Sequence, residues 1–227
     1  KYFVDSDTPY LGRKNGTWQV PPTIVQDVFV TYEFTPTIMV DAGLMLVPNS
    51  YNSTQSAASL LPIAYGPYSF LSSAPTYSRV GRDQGVQARG YVGRGHFEYR
   101  LGVFRGLSRV DTKAGPRVAG RAVWYPFASQ TGFFYAGTLQ GKKRMVAIGA
   151  SFDRENHYHS YGGDVFVEWP VARGVVTGQA GLLRFNGGRT FAQLPLQNTW
   201  LAEAGFSVPA RRFGVFAQAA RQDVRAM

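Results

Sequence analysis

Four basic residues, Arg89, Arg100, Arg121 and Lys143, have the spacing needed to place positive charge along one wall of a water-filled passage. Each lies in a stretch of alternating apolar and polar residues, and each falls on the polar side. Successive side chains of a strand point to opposite faces, so the polar side of a membrane strand faces water. Cations lining a narrow passage attract anions. The pattern therefore predicts an anion path.

Acidic residues on the same polar sides leave an alternative open. They are Glu33, Glu98, Asp164, Glu168 and Glu203. In that alternative the basic residues pair with these carboxylates, and the ion pairs serve only to neutralise charge within the wall of the passage. Both can hold, because bases along one wall and acids along another give a transverse field across a constriction.

Catalytic and metal chemistry find little support in the sequence. His157 and His159 would share a face of a strand, but two imidazoles without a nearby carboxylate fit a solvated loop better than a metal site. His96 is the only histidine predicted within a strand, and no serine is tied to it as a nucleophile would be. There is no cysteine. We therefore expect no enzyme activity, no metal site and no cofactor.

The elements that position these residues are best seen in the hairpin at 160–185. Tyr161, Gly163, Val165, Val167 and Trp169 alternate with Gly162, Asp164, Phe166 and Glu168. The strands run about 10 residues, which suits a tilted membrane strand, whereas soluble strands are typically about 5 to 6. Trp169 stands at the turn end, where an interfacial aromatic residue would lie. The hairpin therefore favours transmembrane strands over a soluble sandwich.

The same pattern predicts about ten full strands between residues 24 and 223, among them one at 142–153 that is followed by a loop at 154–159. Short turns are expected at 35–37, 93–95, 170–174 and 209–212, after a loop at 5–23. Aromatic residues gather at the short-turn ends, as a membrane girdle requires. They are Tyr32, Phe34, Phe97, Tyr99, Trp124, Trp169, Phe206 and Phe213.

Two long stretches interrupt the alternation. Residues 47–79 carry several prolines and tyrosines and are predicted to be a loop that folds inward as a constriction. Their tyrosines could also stack on nucleic acid, but an ordered loop packed in a barrel opening explains them equally well, and we expect no nucleic-acid binding. Residues 132–139 could form a strand. Counting them would put later short turns on the wrong side of the membrane, so 127–141 is predicted to be one long periplasmic connection.

Composition supports a single membrane-spanning unit over residues 1–227. Lys and Arg total 24 against 14 Asp and Glu, a net charge of +10, which makes anionic partners plausible. No run approaches the ~20 apolar residues of a membrane helix. Any span must then be a closed barrel. The predicted fold class is all-β, an antiparallel transmembrane β-barrel.

The chain from about residue 24 resembles the bacterial phosphate-selective porin O and P family. The resemblance lies in the order and spacing of A-G-L-M-L-V-P-N-S at 42–50, Q-S-A-A-S-L-L-P-I at 55–63, G-R-D-Q-G-V-Q at 81–87, Y-R-L-G-V-F-R-G at 99–106, G-T-L-Q-G-K-K-R-M-V-A-I-G-A at 137–150, D-V-F-V-E-W-P at 164–170 and L-A-E-A-G at 201–205. The resemblance implies a barrel of about 16 strands. The chain would then be an internal piece that lacks terminal strands.

The resemblance further implies an outer-membrane porin that passes small hydrophilic solutes, with anions preferred and phosphate among them. Expected partners are membrane lipid, lipopolysaccharide, small anionic solutes, and a homotrimer or larger envelope assembly. The competing expectation is a structural barrel subunit that anchors or seals such an assembly, because an incomplete sheet would leave edges for a partner to cover.

Overall fold

A computed structural model describes residues 26–73, 80–109, 111 and 114–225, together with 12–14 and 17–19. Ten strands form one antiparallel sheet in which neighbours follow chain order from β3 to β12. They are β3 Val28–Thr35, β4 Ile38–Leu46, β5 Arg82–Val92, β6 Phe97–Phe104, β7 Arg117–Trp124, β8 Met145–Glu155, β9 Tyr158–Val171, β10 Gly174–Asn186, β11 Gln197–Val208 and β12 Phe213–Val224. The predicted all-β, antiparallel architecture is confirmed.

Burial follows the predicted two-residue period. Along β8, side chains alternate strictly between buried and non-buried. On β9, Phe166 and Glu168 are buried, whereas outward Val176 and Leu182 on β10 are 44% and 54% exposed. The exposed side is thus the apolar one, which suits contact with lipid.

The sheet curves around two segments of its own chain. We call residues 47–73, which follow β4, the entry loop, and residues 125–144, between β7 and β8, the inner connection. Phe29 on edge strand β3 contacts Phe133, with ring centroids 4.3 Å apart. Gln218 on the opposite edge strand β12 donates to the Ala64 carbonyl at 3.4 Å. Because both edges reach these segments, they lie on the concave face.

The two ends of the sheet differ. Short turns at 36–37, 93–96, 172–173 and 209–212 share one end, the turn end, with the inner connection. The entry loop and the connections at 105–116, 156–157 and 187–196 share the other, the loop end. The prediction that 127–141 contains no strand of the sheet is confirmed.

Several predicted element positions are wrong. The turn predicted at 93–95 extends to residue 96, because Val92 pairs with Phe97. β8 begins at Met145 rather than at residue 142, because the chain before it turns at 140–141. The loop predicted at 154–159 shrinks to a tight turn at 156–157, since the ladder continues to Glu155 opposite Tyr158. Short strands β1 Gly12–Lys14 and β2 Thr17–Gln19 pair within the stretch predicted as a loop, the rest of which lies outside the described residues.

Helices are few. α1, Tyr51–Thr54, is a single turn capped by Ser50, whose side chain accepts from the Ser53 backbone N–H. Nowhere in the described ranges does a helix have the length and apolar character to cross a membrane.

Arginine substitutions at two neighbouring positions test the assigned faces. Ala180 on β10 points outward, and Ala180→Arg should lower the free energy of unfolding by ~2–4 kcal/mol near the bilayer midplane. Gln179 is buried on the concave face and bonds Glu203, so Gln179→Arg gains an ionic partner and should be mild. Denaturant unfolding of the full-length protein in lipid vesicles measures both, and equal losses would contradict the faces.

Candidate functional site: an arginine row on the concave face

Three predicted arginines form a row across adjacent strands. Arg89 on β5 lies directly opposite Arg100 on β6, which lies directly opposite Arg121 on β7. All three side chains point to the concave face and are at most 6% exposed. Like charges directly opposite each other destabilise a sheet, so each guanidinium requires its own partners.

Each arginine has a carboxylate. Arg89 Nε donates to Asp41 Oδ2 at 2.8 Å, and Arg100 Nε donates to Glu98 Oε1 at 2.5 Å. Arg121 binds both oxygens of Asp164, at 2.7 and 2.6 Å. Glu98 and Asp164 belong to the predicted acidic set, but Asp41 was missed there. The alternation within 38–46 would have placed it on this face.

Aromatic side chains of the inner connection cover the arginine row. The Phe133 ring lies 5.8 Å from Arg89 Cζ and 5.6 Å from Arg100 Cζ. The Tyr135 ring lies 4.6 Å from Arg100 Cζ and 5.5 Å from Arg121 Cζ. These distances are typical of cation–π contacts, so the row holds the connection by its rings.

The row also binds the backbone of the inner connection. Arg100 donates to the carbonyls of Phe133 at 2.7 Å and Gly132 at 3.0 Å. Arg121 Nε donates to the Tyr135 hydroxyl at 3.3 Å. The arginines therefore bridge the sheet wall and a segment that enters from the turn end.

The entry loop meets the inner connection inside the sheet. The Tyr51 ring is sandwiched between those of Tyr135 and Phe166, at 4.7 and 4.5 Å. Ser56 N–H donates to the Tyr135 carbonyl at 2.8 Å, and Tyr135 N–H donates to the Thr54 carbonyl at 3.1 Å. Burial raises the pKa of the Tyr51 and Tyr135 hydroxyls, which lie outside the strands, so both remain neutral donors. Segments from opposite ends thus join across the interior.

Two predicted acids bind neutral donors instead of bases. Glu168 on β9 accepts from the backbone N–H groups of Leu139 and Gly141 at 2.6 and 2.8 Å. Glu203 on β11 accepts from the amide groups of Gln218, at 2.6 Å, and Gln179. In the described part of the chain neither forms an ion pair. Among the described residues, the concave face therefore has the arginine row on β5 to β7 and carboxylates without a basic partner on β9 and β11.

The remaining predicted residues lie away from the row. Glu33 is exposed on edge strand β3. Lys143 is exposed before β8, so the prediction that places it on a strand is wrong; its Nζ donates to the Ser129 carbonyl at 3.1 Å. Glu168 explains the difference, because it holds the backbone at 139–141 in a turn until the chain joins the ladder at Met145.

A further buried ion pair, beside those of the arginine row, was not predicted from the sequence. Arg117 on β7 donates to both oxygens of Asp153 on β8, at 2.8 and 2.6 Å, and the Tyr158 hydroxyl donates to Asp153 at 2.8 Å. Arg117 lies four residues before Arg121, so the alternation of β7 would have placed it on the same face. The described residues contain no group of three or more His, Cys, Asp or Glu side chains that could hold a metal ion.

The sequence identifies the family to which the chain belongs. The sequence model of the family described as phosphate-selective porin O and P matches residues 6–154, which is well over half of the chain. The chain belongs to this family. No curated protein and no solved structure gives a significant match. The matched range contains the whole arginine row, whereas β9 to β12 lie beyond it.

Membership of the porin O and P family makes the protein an outer-membrane porin. Its family is one of channels rather than enzymes. In outer-membrane barrels short turns face the periplasm and longer loops face outward, which makes the turn end the periplasmic one.

Proposed function

We propose that this porin passes small hydrophilic solutes by passive diffusion and prefers anions, phosphate among them. The observation that carries the proposal is the arginine row, placed where the entry loop and the inner connection narrow the interior. Low-dielectric walls strengthen the field of such charges relative to bulk water. In this proposal the two inner segments together form the constriction, rather than residues 47–79 alone.

Arg89 is the arginine best placed to meet a passing anion. Only its Nε has a hydrogen-bond partner among the described residues, namely Asp41. Arg100 and Arg121, by contrast, use their terminal nitrogens on carbonyl and carboxylate oxygens. The free edge of the Arg89 guanidinium can donate to a phosphate oxygen in the forked geometry that arginine favours.

The carboxylates on β9 and β11 fit the same proposal. Glu168 and Glu203 face the concave side with neutral donors around them. Opposite the bases of β5 to β7 they produce the transverse field expected from the sequence. An anion would then be held toward the β5–β7 wall.

Arg89→Gln tests the preference with little change in side-chain size. We expect the wild-type full-length protein in a planar bilayer under a KCl gradient to show an anion-selective reversal potential. Arg89→Gln should shift it by several millivolts toward the cation side, because a charge near the constriction is lost. Arg184→Gln is the control, since Arg184 is exposed on the convex face. Cation preference in the wild type, or equal potentials in wild type and Arg89→Gln, would contradict the proposal.

A second candidate function is a structural barrel subunit that seals or anchors an envelope assembly. The observation in its favour is the backbone pairing of the entry loop with the inner connection across the interior. The same bilayer recordings separate the candidates, because a sealing subunit would conduct little at any KCl gradient.

A further inference from the structure

The segments that connect strands at the turn end contain basic residues but no acidic ones. The connections at 36–37, 93–96, 125–144, 172–173 and 209–212 contain no Asp or Glu. They contain Arg94, Lys142, Lys143, Arg144, Arg173, Arg211 and Arg212. Toward the loop end, in contrast, arginines pair with carboxylates, as in Arg82–Asp27, Arg117–Asp153 and Arg221–Asp223.

One of these bases sits on the outer surface beside the aromatic girdle. Trp169 on β9 points outward, and Arg144 Cζ lies 5.4 Å from the centre of its ring. Phe127, which is 49% exposed, packs edge-on against Trp169 with centroids 5.4 Å apart. Stacking uses the flat face of a guanidinium and leaves its N–H edge free to donate.

We propose that Arg144, Trp169 and Phe127 form a binding site for the headgroup of an anionic phospholipid in the periplasmic leaflet. The aromatic rings lie at the membrane–water boundary, where such rings anchor a barrel. The guanidinium edge binds the phosphate group, and Lys142 and Arg173, exposed at the same end of the sheet, add attraction. Each base near an anionic membrane surface contributes ~1 kcal/mol, which corresponds to about fivefold in binding.

Geometry favours lipid over a solute as the occupant of this outer site. Arg144 and Trp169 lie on the convex side, opposite buried Met145 and Glu168 of the concave side. A solute inside the barrel would not reach them. The inference is therefore independent of the conduction proposed above.

Retention of lipid by the folded full-length protein tests the site. The protein is reconstituted in vesicles of equal phosphatidylcholine and phosphatidylglycerol, and the lipids that remain bound are counted by native mass spectrometry. We expect wild type to retain phosphatidylglycerol preferentially. Arg144→Gln should reduce that preference about fivefold, whereas Arg144→Lys should keep most of it because the charge remains. Heat-modified mobility on gels verifies that each variant is folded.

Controls define what would overturn the site. Arg154→Gln and Arg184→Gln each remove an exposed outward base toward the loop end and should leave the retained phosphatidylglycerol near the wild-type level. If these controls lose as much phosphatidylglycerol as Arg144→Gln does, the retention depends only on overall charge and the site is rejected. Unchanged retention in Arg144→Gln would also reject it. Displacement of the lipid by inorganic phosphate at constant ionic strength would identify a solute site instead.

Discussion

Arg121→Ala is expected to lower the free energy of unfolding by ~3–5 kcal/mol, because it breaks a buried ion pair and leaves one charge behind. The Arg121 side chain is 0% exposed and that of Asp164 is 6% exposed. Without Arg121, the remaining hydrogen bond to the Asp164 carboxylate comes from the Tyr51 backbone N–H at 3.0 Å. The Tyr135 ring and hydroxyl lose a partner as well. Denaturant unfolding in vesicles, followed by tryptophan fluorescence, measures the loss.

Two controls show whether the loss of Arg121 acts through Asp164. Arg154→Ala removes an exposed, outward arginine of the neighbouring strand β8 and should stay within about 0.5 kcal/mol of wild type. The double variant Arg121→Ala/Asp164→Ala should lose less unfolding free energy than the two single variants lose together, because no unpaired charge remains buried. Strict additivity, or a loss no larger than that of Arg154→Ala, would contradict the assigned role.

The strands and their faces were predictable because alternation is a local signal. Phe166 and Glu168 on β9 and Val176 and Leu182 on β10 all lie on the predicted sides. The register between β5 and β6 was not fixed by the predicted turn. A three-residue turn at 93–95 would place Arg89 opposite Tyr99, whereas the four-residue turn at 93–96 pairs Val92 with Phe97 and therefore Arg89 with Arg100. Arg121 follows the longer connection at 105–116, whose length fixes no register, so its place in the row came from the structure.

The inner connection was predicted as a connection, but its path was not. Its G-F-F-Y-A-G-T-L stretch at 132–139 has the apolar character of a strand. The only argument against a strand was that it would move the later short turns to the other side of the membrane. What turns it inward are contacts distant in sequence: Arg100 binds two of its carbonyls, and Glu168 binds two of its N–H groups. Alternation within a strand contains no information on such contacts. The same missing information explains the wrong placement of Lys143 on β8.

Removing the two rings that cover the arginine row should increase conductance severalfold. In Phe133→Ala/Tyr135→Ala the backbone of the inner connection keeps its bonds to Arg100 and Glu168, because these use carbonyl and N–H groups. Both rings are buried: that of Tyr135 stacks on Tyr51 as well as on the row, and that of Phe133 contacts Phe29 of β3 as well as the row. Their loss opens space at the constriction and exposes guanidinium groups to water. Single-channel recording of the full-length protein in a planar bilayer measures the change.

Phe134 supplies the matched control, since it lies between the two rings in sequence but is 37% exposed. Phe134→Ala removes one aromatic ring of the same segment without uncovering the row, so its conductance should equal that of wild type. A gain in both variants would indicate a general loosening of the inner connection. No gain in the double variant would show that the rings do not limit the path. A sealed wild type that conducts only after both rings are removed would support the structural subunit, with the inner connection as its seal.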